Sequence, residues 1–180
     1  MRKQTNWYVI TGGPSSRKTT TVNLLKDREY ITTFEHARHY LDTQRLKGRN
    51  VNETRKNQKE FKLGVLDMQI EQENQILPDL QVFHDREIPD ALAFYRFLNL
   101  PEDEKLTEAF RTVSYKKIFI LDCLPLVKDY ARTDAAAQKK IHALLIEVYE
   151  SLGFPVVHVP VFTPEERVDF ILKNFLSDKQ

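Results

Sequence analysis

Trp7-Tyr8-Val9-Ile10-Thr11-Gly12-Gly13-Pro14-Ser15-Ser16-Arg17-Lys18-Thr19-Thr20 is the stretch on which the fold turns. Its opening, Trp7 to Thr11, is a short β-rich and mostly apolar run, the pattern of a strand covered on both faces. From Gly12 onward it follows the phosphate-binding-loop pattern of glycine, four residues, then Gly-Lys-Ser/Thr, with Gly12, Lys18 and Thr19 in place. The sixth position, normally glycine, is Arg17.

Behind the loop, residues 19–30 read as a helix with Val22, Leu25 and Lys26 on one side. A strand, a glycine turn and a helix give the motif its meaning. The loop's N–H groups and the helix N-terminus point at an anion, which the helix dipole also favours. In such a loop Lys18 bridges the β- and γ-phosphates of a nucleoside triphosphate, ATP or GTP, and the Thr19 hydroxyl holds Mg2+. The cradle is then Gly12, Gly13, Pro14, Ser15, Ser16, Arg17, Lys18, Thr19 and Thr20. The competing reading is a Gly/Ser-rich turn that merely resembles the pattern. At the sixth position the backbone wraps the β-phosphate, so a long side chain must leave toward solvent or the neighbouring strand, or crowd the phosphate. Sterics argue for weakened binding there; the guanidinium's affinity for phosphate argues for tolerance.

The chain of 180 residues is read as one domain, 1–180, long enough for a real core. Its 27 basic and 26 acidic residues give a net charge of +1, so no field recommends nucleic acid or a membrane as partner. The single cysteine, Cys123, excludes an intramolecular disulfide and fits a reducing compartment. After Met1-Arg2-Lys3 the apolar run is about five residues, shorter than a signal-peptide core, and no stretch approaches a membrane span. The expected location is cytoplasmic; the oligomeric state is left open.

Further strands are expected at 31–34, 80–84, 118–121 and 156–159, the third of these being the most apolar run of the chain. Helices are expected at 58–77, with Phe61, Val65, Met68, Ile70 and Ile76 as apolar contacts, and at 88–98 and 105–112. Another is expected at 133–152, with Ile141, Leu144, Leu145, Val148 and Leu152 at helical spacing and Gly153 as its stop. The last opens with Thr163-Pro164-Glu165-Glu166, an N-cap, a first-turn proline and a capping-box glutamate. The very polar 43–57 stretch reads as a loop or exposed helix end. Five strands alternating with helices imply a three-layer α/β/α fold with a mainly parallel five-stranded sheet.

Ligands of such sheets bind beyond the carboxyl ends of the strands. Along that edge lie Thr11 to Thr20, Glu35, Asp85-Arg86, Asp122 onward, and Val159 to Thr163. Asp85 can hold Mg2+ directly or through water, or else cap the next turn. Arg86 can bind an anionic or hydroxylated substrate, or else pair with Glu87 or Asp90. Glu35 can orient or deprotonate an acceptor hydroxyl, or serve as an ordinary helix cap. Arg132, with Lys128 as competitor, suits a lid cation that stabilises transition-state charge. His36, His39, His84 and Glu35 lack the spacing of a zinc site, and Cys123 reads as a small core residue.

Taken together the motifs resemble the AAA-type P-loop ATPase/kinase family that includes the ribosylnicotinamide kinase domain of NadR and its eukaryotic NTP-binding relatives. The resemblance rests on the loop, Glu35-His36-Ala37-Arg38, Asp85 through Phe94, Tyr130-Ala131-Arg132-Thr133, Tyr149, Leu152-Gly153-Phe154, Val159-Pro160 and Glu165-Glu166-Arg167-Val168. It implies a kinase-like fold with Lys18, Glu35 and Arg132 catalytic, substrate near Glu35, Arg38, Asp85 and Arg86, and a lid near Arg132. Glu87 stands where relatives usually carry glycine. Two functions follow as expectations. One is transfer of the γ-phosphate of Mg-ATP to a hydroxyl of a small metabolite, a nucleoside-like ribose among the candidates. The other is a nucleotide-binding regulator, pseudo-kinase or NTPase whose catalysis Arg17 has weakened.

Overall fold

The computed structural model describes residues 2–125 and 135–177. A short ribbon pairs β1 (Lys3–Gln4) in parallel with β4 (Val113–Ser114). The main sheet holds β2 (Trp7–Gly12), β3 (Val82–Asp85), β5 (Lys117–Leu121) and β6 (Val156–Val159), all parallel, in the order β3-β2-β5-β6. It has four strands, not five. The expected strand at 31–34 shrinks to one bridge between Thr32 and Phe83, after which the chain leaves the sheet edge to enter a helix at His36. The ribbon of β1 and β4 was not foreseen.

The apolar runs of β2 and β5 are buried on both sides, as central parallel strands require. Trp7, Val9, Ile118 and Ile120 face one core, shared with α5 (Ile88–Phe97) and α7 (Ala135–Ser151). Tyr8, Ile10, Phe119 and Leu121 face the other, shared with α1 (Lys18–Asp27) and α8 (Pro164–Leu176). Period-two alternation thus produces three layers. α1 buries Val22 and Leu25 as read from the sequence, while Lys26 is exposed.

The polar 43–57 stretch takes the exposed-helix alternative over most of its length, with a turn at 47–50. α2 (His36–Leu46) runs into it, α3 (Val51–Lys56) lies within it, and α4 (Gln58–Gln75) follows. α3 buries no residue; the Asn50 side chain caps it by accepting the Asn52 N–H, at 2.8 Å. α6 (Glu104–Thr112) precedes β4. α8 begins with the expected capping box, Thr163 and Glu166 each accepting the other's backbone N–H. Among the described residues no helix is long and apolar enough to cross a membrane.

Register fixes the functional edge. Ile10 stands beside Asp85 on one flank and Phe119 on the other, and Gly12 beside Leu121. The loop therefore leaves the sheet between the carboxyl ends of β3 and β5.

Candidate functional site

The loop needs its glycines for close approach. A Cβ on Gly12 would stand 2.8 Å from the Leu121 carbonyl, and one on Gly13 2.9 Å from the Cys123 sulfur. Arg17 is the N-cap of α1 with φ 60 and ψ 28, and Ser15 has φ 62. A left-handed cap is what makes glycine the usual residue at the sixth position. Arg17 adopts that backbone at a cost of about 1–2 kcal/mol, and its side chain is exposed. The crowding anticipated from its length does not arise in this arrangement: the departure from the pattern is a backbone matter. No side chain caps α1. The N–H groups of Lys18, Thr19 and Thr20 consequently have no acceptor among the described residues, and they are the donors an anion takes.

Three carboxyl-edge side chains gather on this loop. The Lys18 ammonium is buried against the Asp85 carboxylate and lies 4.0 Å from Glu35. Burial pushes the Asp85 carboxyl upward, with Lys18 pulling the other way. The Thr33 hydroxyl fixes Asp85 by accepting its backbone N–H at 2.9 Å. Arg86 follows at φ 64, a strained position for a residue with a Cβ. Its guanidinium reaches Asp90 at 3.0 Å and Glu35 at 3.8 Å, and lies over the Phe94 ring at 5.4 Å. Of the two structural partners considered for Arg86, Asp90 is the one it takes. Glu35 precedes α2 as its N-cap, makes no capping bond with its side chain, and faces both Lys18 and Arg86. Arg38 is exposed one turn further along α2. Arg132 and Lys128 lie outside the described residues.

Sequence reasoning took Asp90 only as a candidate ion-pair partner of Arg86 and gave no role to Lys62 or Arg167. Asp90 is buried and accepts from Thr11 (2.5 Å), Tyr149 (2.5 Å) and the backbone N–H of Glu87 (3.1 Å) in addition to Arg86. Its position as third helical residue after Pro89 was the local signal available. Lys62, on α4, lies 4.1 Å over the Phe94 ring. Burial pulls its ammonium down to about 8, assisted by Arg86 and opposed by Asp90 and Glu35. Arg167 is 1% exposed and donates to three main-chain carbonyls: Ser16 in the loop, Asp122 after β5 (2.7 Å) and Pro160 after β6 (3.0 Å). It has no carboxylate partner among the described residues.

Beneath the site lies a second polar cluster. His84 Nδ1 touches Glu87, and Tyr115 donates to Glu73. Burial raises the Glu87 carboxyl to about 8 and lowers His84 to about 4. At neutral pH the two form a neutral pair, which removes the cost of burying charge. Cys123 is half-buried against Gly13, and burial raises its thiol. Among the described residues no group of three or more His, Cys, Asp or Glu is placed to hold a metal ion. The Thr19 hydroxyl and Asp85 carboxylate are hard oxygen donors, a set that suits Mg2+ once phosphate oxygens join them.

Two cavities open beside the loop. One of 850 Å3 runs from Thr19 and Glu35 outward between α2, α3 and α4 to Arg45 and Arg55. The other, of 380 Å3, lies toward α1 and also touches Thr19, Glu35 and Asp85.

The sequence pattern of the AAA domain family matches residues 7–167. The chain belongs to this family. No curated protein is a significant match to it in sequence. Among solved structures the AAA domain is similar to deoxyadenosine kinase from M. mycoides with dCMP and dCDP bound. The TM-score is 0.65 at 14% identity, over 95% of this chain and 99% of that one. Thymidylate kinase from Candida albicans gives 0.65 at 15% identity, over 98% of this chain and 93% of that one. NadR in complex with NR gives 0.62 at 16% identity over 86% of this chain, which spans 43% of the NadR chain. The shared architecture is the P-loop NTPase kinase-like fold.

Proposed function

We propose that this AAA domain is a P-loop kinase that transfers the γ-phosphate of ATP or GTP to a hydroxyl of a small acceptor. The observation that carries the proposal is the meeting of Lys18, Glu35, Asp85 and Arg86 at the uncapped N-terminus of α1, beside a cavity that touches both Thr19 and Glu35. A turn that only imitated the loop pattern would have no reason to gather them.

The loop's free N–H groups and Lys18 hold the triphosphate, and Lys18 exchanges Asp85 for phosphate oxygens as it does so. Thr19 and Asp85 are the residues that would hold Mg2+, which would supply neutralisation of phosphate charge. Glu35 receives the proton of the acceptor hydroxyl as its oxygen bonds to the γ-phosphorus and the bond to the leaving diphosphate oxygen breaks. Arg86, fixed by Asp90, keeps Glu35 oriented for this task. We place the reaction in the cytoplasm, in keeping with the single free cysteine and the small-molecule chemistry.

The pairing of Lys18 with Asp85 favours a second reading, a nucleotide-binding regulator or pseudo-kinase, if that pair outcompetes the nucleotide. Calorimetric Mg-ATP binding and phosphate transfer over a panel of small acceptors, on the native chain, Arg17→Gly and Lys18→Ala, separate the two. The kinase reading expects binding and transfer by the native chain and loss of both in Lys18→Ala. It fails if neither the native chain nor Arg17→Gly binds Mg-ATP. Binding without transfer to any acceptor would point to the regulator.

A further inference from the structure

Resting on the kinase reading, we infer that the acceptor is a phosphomonoester: its free hydroxyl lies at Glu35 and its phosphate group at the outer end of the 850 Å3 cavity. Glu35, Arg38, Asp42 and Arg45 follow one another at spacings of three, four and three, one stripe of α2. All four line that cavity, and Arg55 of α3 enters its wall as well. Arg38 and Arg45 are about 10 Å apart along the helix axis. The stripe is therefore a track leading from the phosphoryl-transfer centre to a cationic mouth.

The charges along this track are unevenly compensated. At the inner end Glu35 already faces two cations, Lys18 and Arg86. Toward the mouth stand three arginines, Arg38, Arg45 and Arg55, and one carboxylate, Asp42, an excess of two positive charges. None of these three arginines has an ion-pair partner among the described residues, whereas Arg28, Arg49, Arg86 and Arg96 all do. The cavity wall also carries the apolar side chains Leu41, Phe61 and Phe94, the last beneath Arg86. A planar ring fits such a wall. A neutral nucleoside would fill the middle and leave the cationic mouth unused; a phosphate beyond the ring meets guanidinium groups that bind it in pairs of hydrogen bonds.

The test is binding to the full chain, with a non-hydrolysable ATP analogue occupying the loop if it binds. The probes are a nucleoside, its 3′- and 5′-monophosphates, and inorganic phosphate. At least one monophosphate is expected to bind about tenfold tighter than the nucleoside or tighter still, a preference that Arg45→Ala/Arg55→Ala abolishes. Equal affinity for nucleoside and monophosphates overturns the inference, as does a preference that survives in the double variant. Inorganic phosphate competing as well as the monophosphate overturns the ring-bearing acceptor. Because binding is read apart from turnover, a preference found in a chain that transfers no phosphate counts against the kinase reading alone. Transfer to neutral nucleosides with no such preference sinks the anionic acceptor and leaves the kinase standing.

Discussion

Replacing Glu87 by glutamine should reduce a decline in stability that the native chain shows between pH 6.5 and pH 8. Glu87 is fully buried, and burial raises its carboxyl from 4.5 to about 8. Between those values the folded chain keeps a proton that the unfolded chain has released, so stability falls as pH rises. His84 and His36 act in the opposite sense. Burial lowers both to about 4, and each adds stability as pH rises toward 6.5, above which it is neutral in either state. Up to pH 6.5 the histidines therefore offset the glutamate; beyond it Glu87 acts without that opposition. Over the 1.5 pH units from 6.5 to 8, one proton corresponds to about 2 kcal/mol. Glu73, whose carboxyl burial also raises, adds to the same slope. The assay is urea unfolding at pH 6.5 and pH 8, read as a two-state transition. Glutamine keeps the shape and the contact with His84 without the titration. Equal stability of the native chain at the two pH values would refute the reasoning, and so would an undiminished decline in Glu87→Gln.

Arg17→Gly relieves a left-handed cap worth about 1–2 kcal/mol but loosens the unfolded chain by about 0.5–1 kcal/mol. Equilibrium unfolding should thus move by no more than about 1.5 kcal/mol, and Arg17→Val, which is β-branched, should lose stability instead. Arg167→Lys keeps the charge but cannot fork to three carbonyls. Loss of two charge-assisted bonds should cost about 3 kcal/mol or more, visible as a lowered Tm, together with weaker nucleotide binding. Gly64 lies under the Tyr40 ring, where a Cβ would stand 2.1 Å from the nearest ring atom. Gly64→Ala should therefore push α2 from α4 and reduce stability by about 1–3 kcal/mol in chemical denaturation.

The parts of the fold carried by local signals were legible in the sequence. β2, the loop and α1 are contiguous, and β6 and the Thr163 capping box each occupy a few consecutive residues. Residues 31–34 misled because Ile31 and Thr33 do bond to Phe83, yet the pairing stops after one bridge. The 43–57 stretch was left open for another reason: α3 has no buried face, so no apolar period marks it. At the site, Lys18, Glu35, Asp85 and Arg86 are each strand-end or loop residues, and the carboxyl-edge rule places them. The contacts of Asp90 to Thr11 and Tyr149 join residues 79 and 59 positions apart, which no local pattern encodes. The neutrality of the pair between His84 and Glu87 is a product of burial and exists only in the folded chain.

Arg167 gives the site an order of assembly. The phosphate loop is written within the first twenty residues, yet the carbonyl of Ser16 is tied down by a side chain 151 positions later. The same guanidinium gathers the chain just after β5 and just after β6. During synthesis from the N-terminus, the loop therefore waits for nearly the whole chain before this clasp can close. A nascent or C-terminally truncated chain would carry the complete motif and an unfinished site. On the kinase reading, the loop is completed only once β6 and the start of α8 have been made.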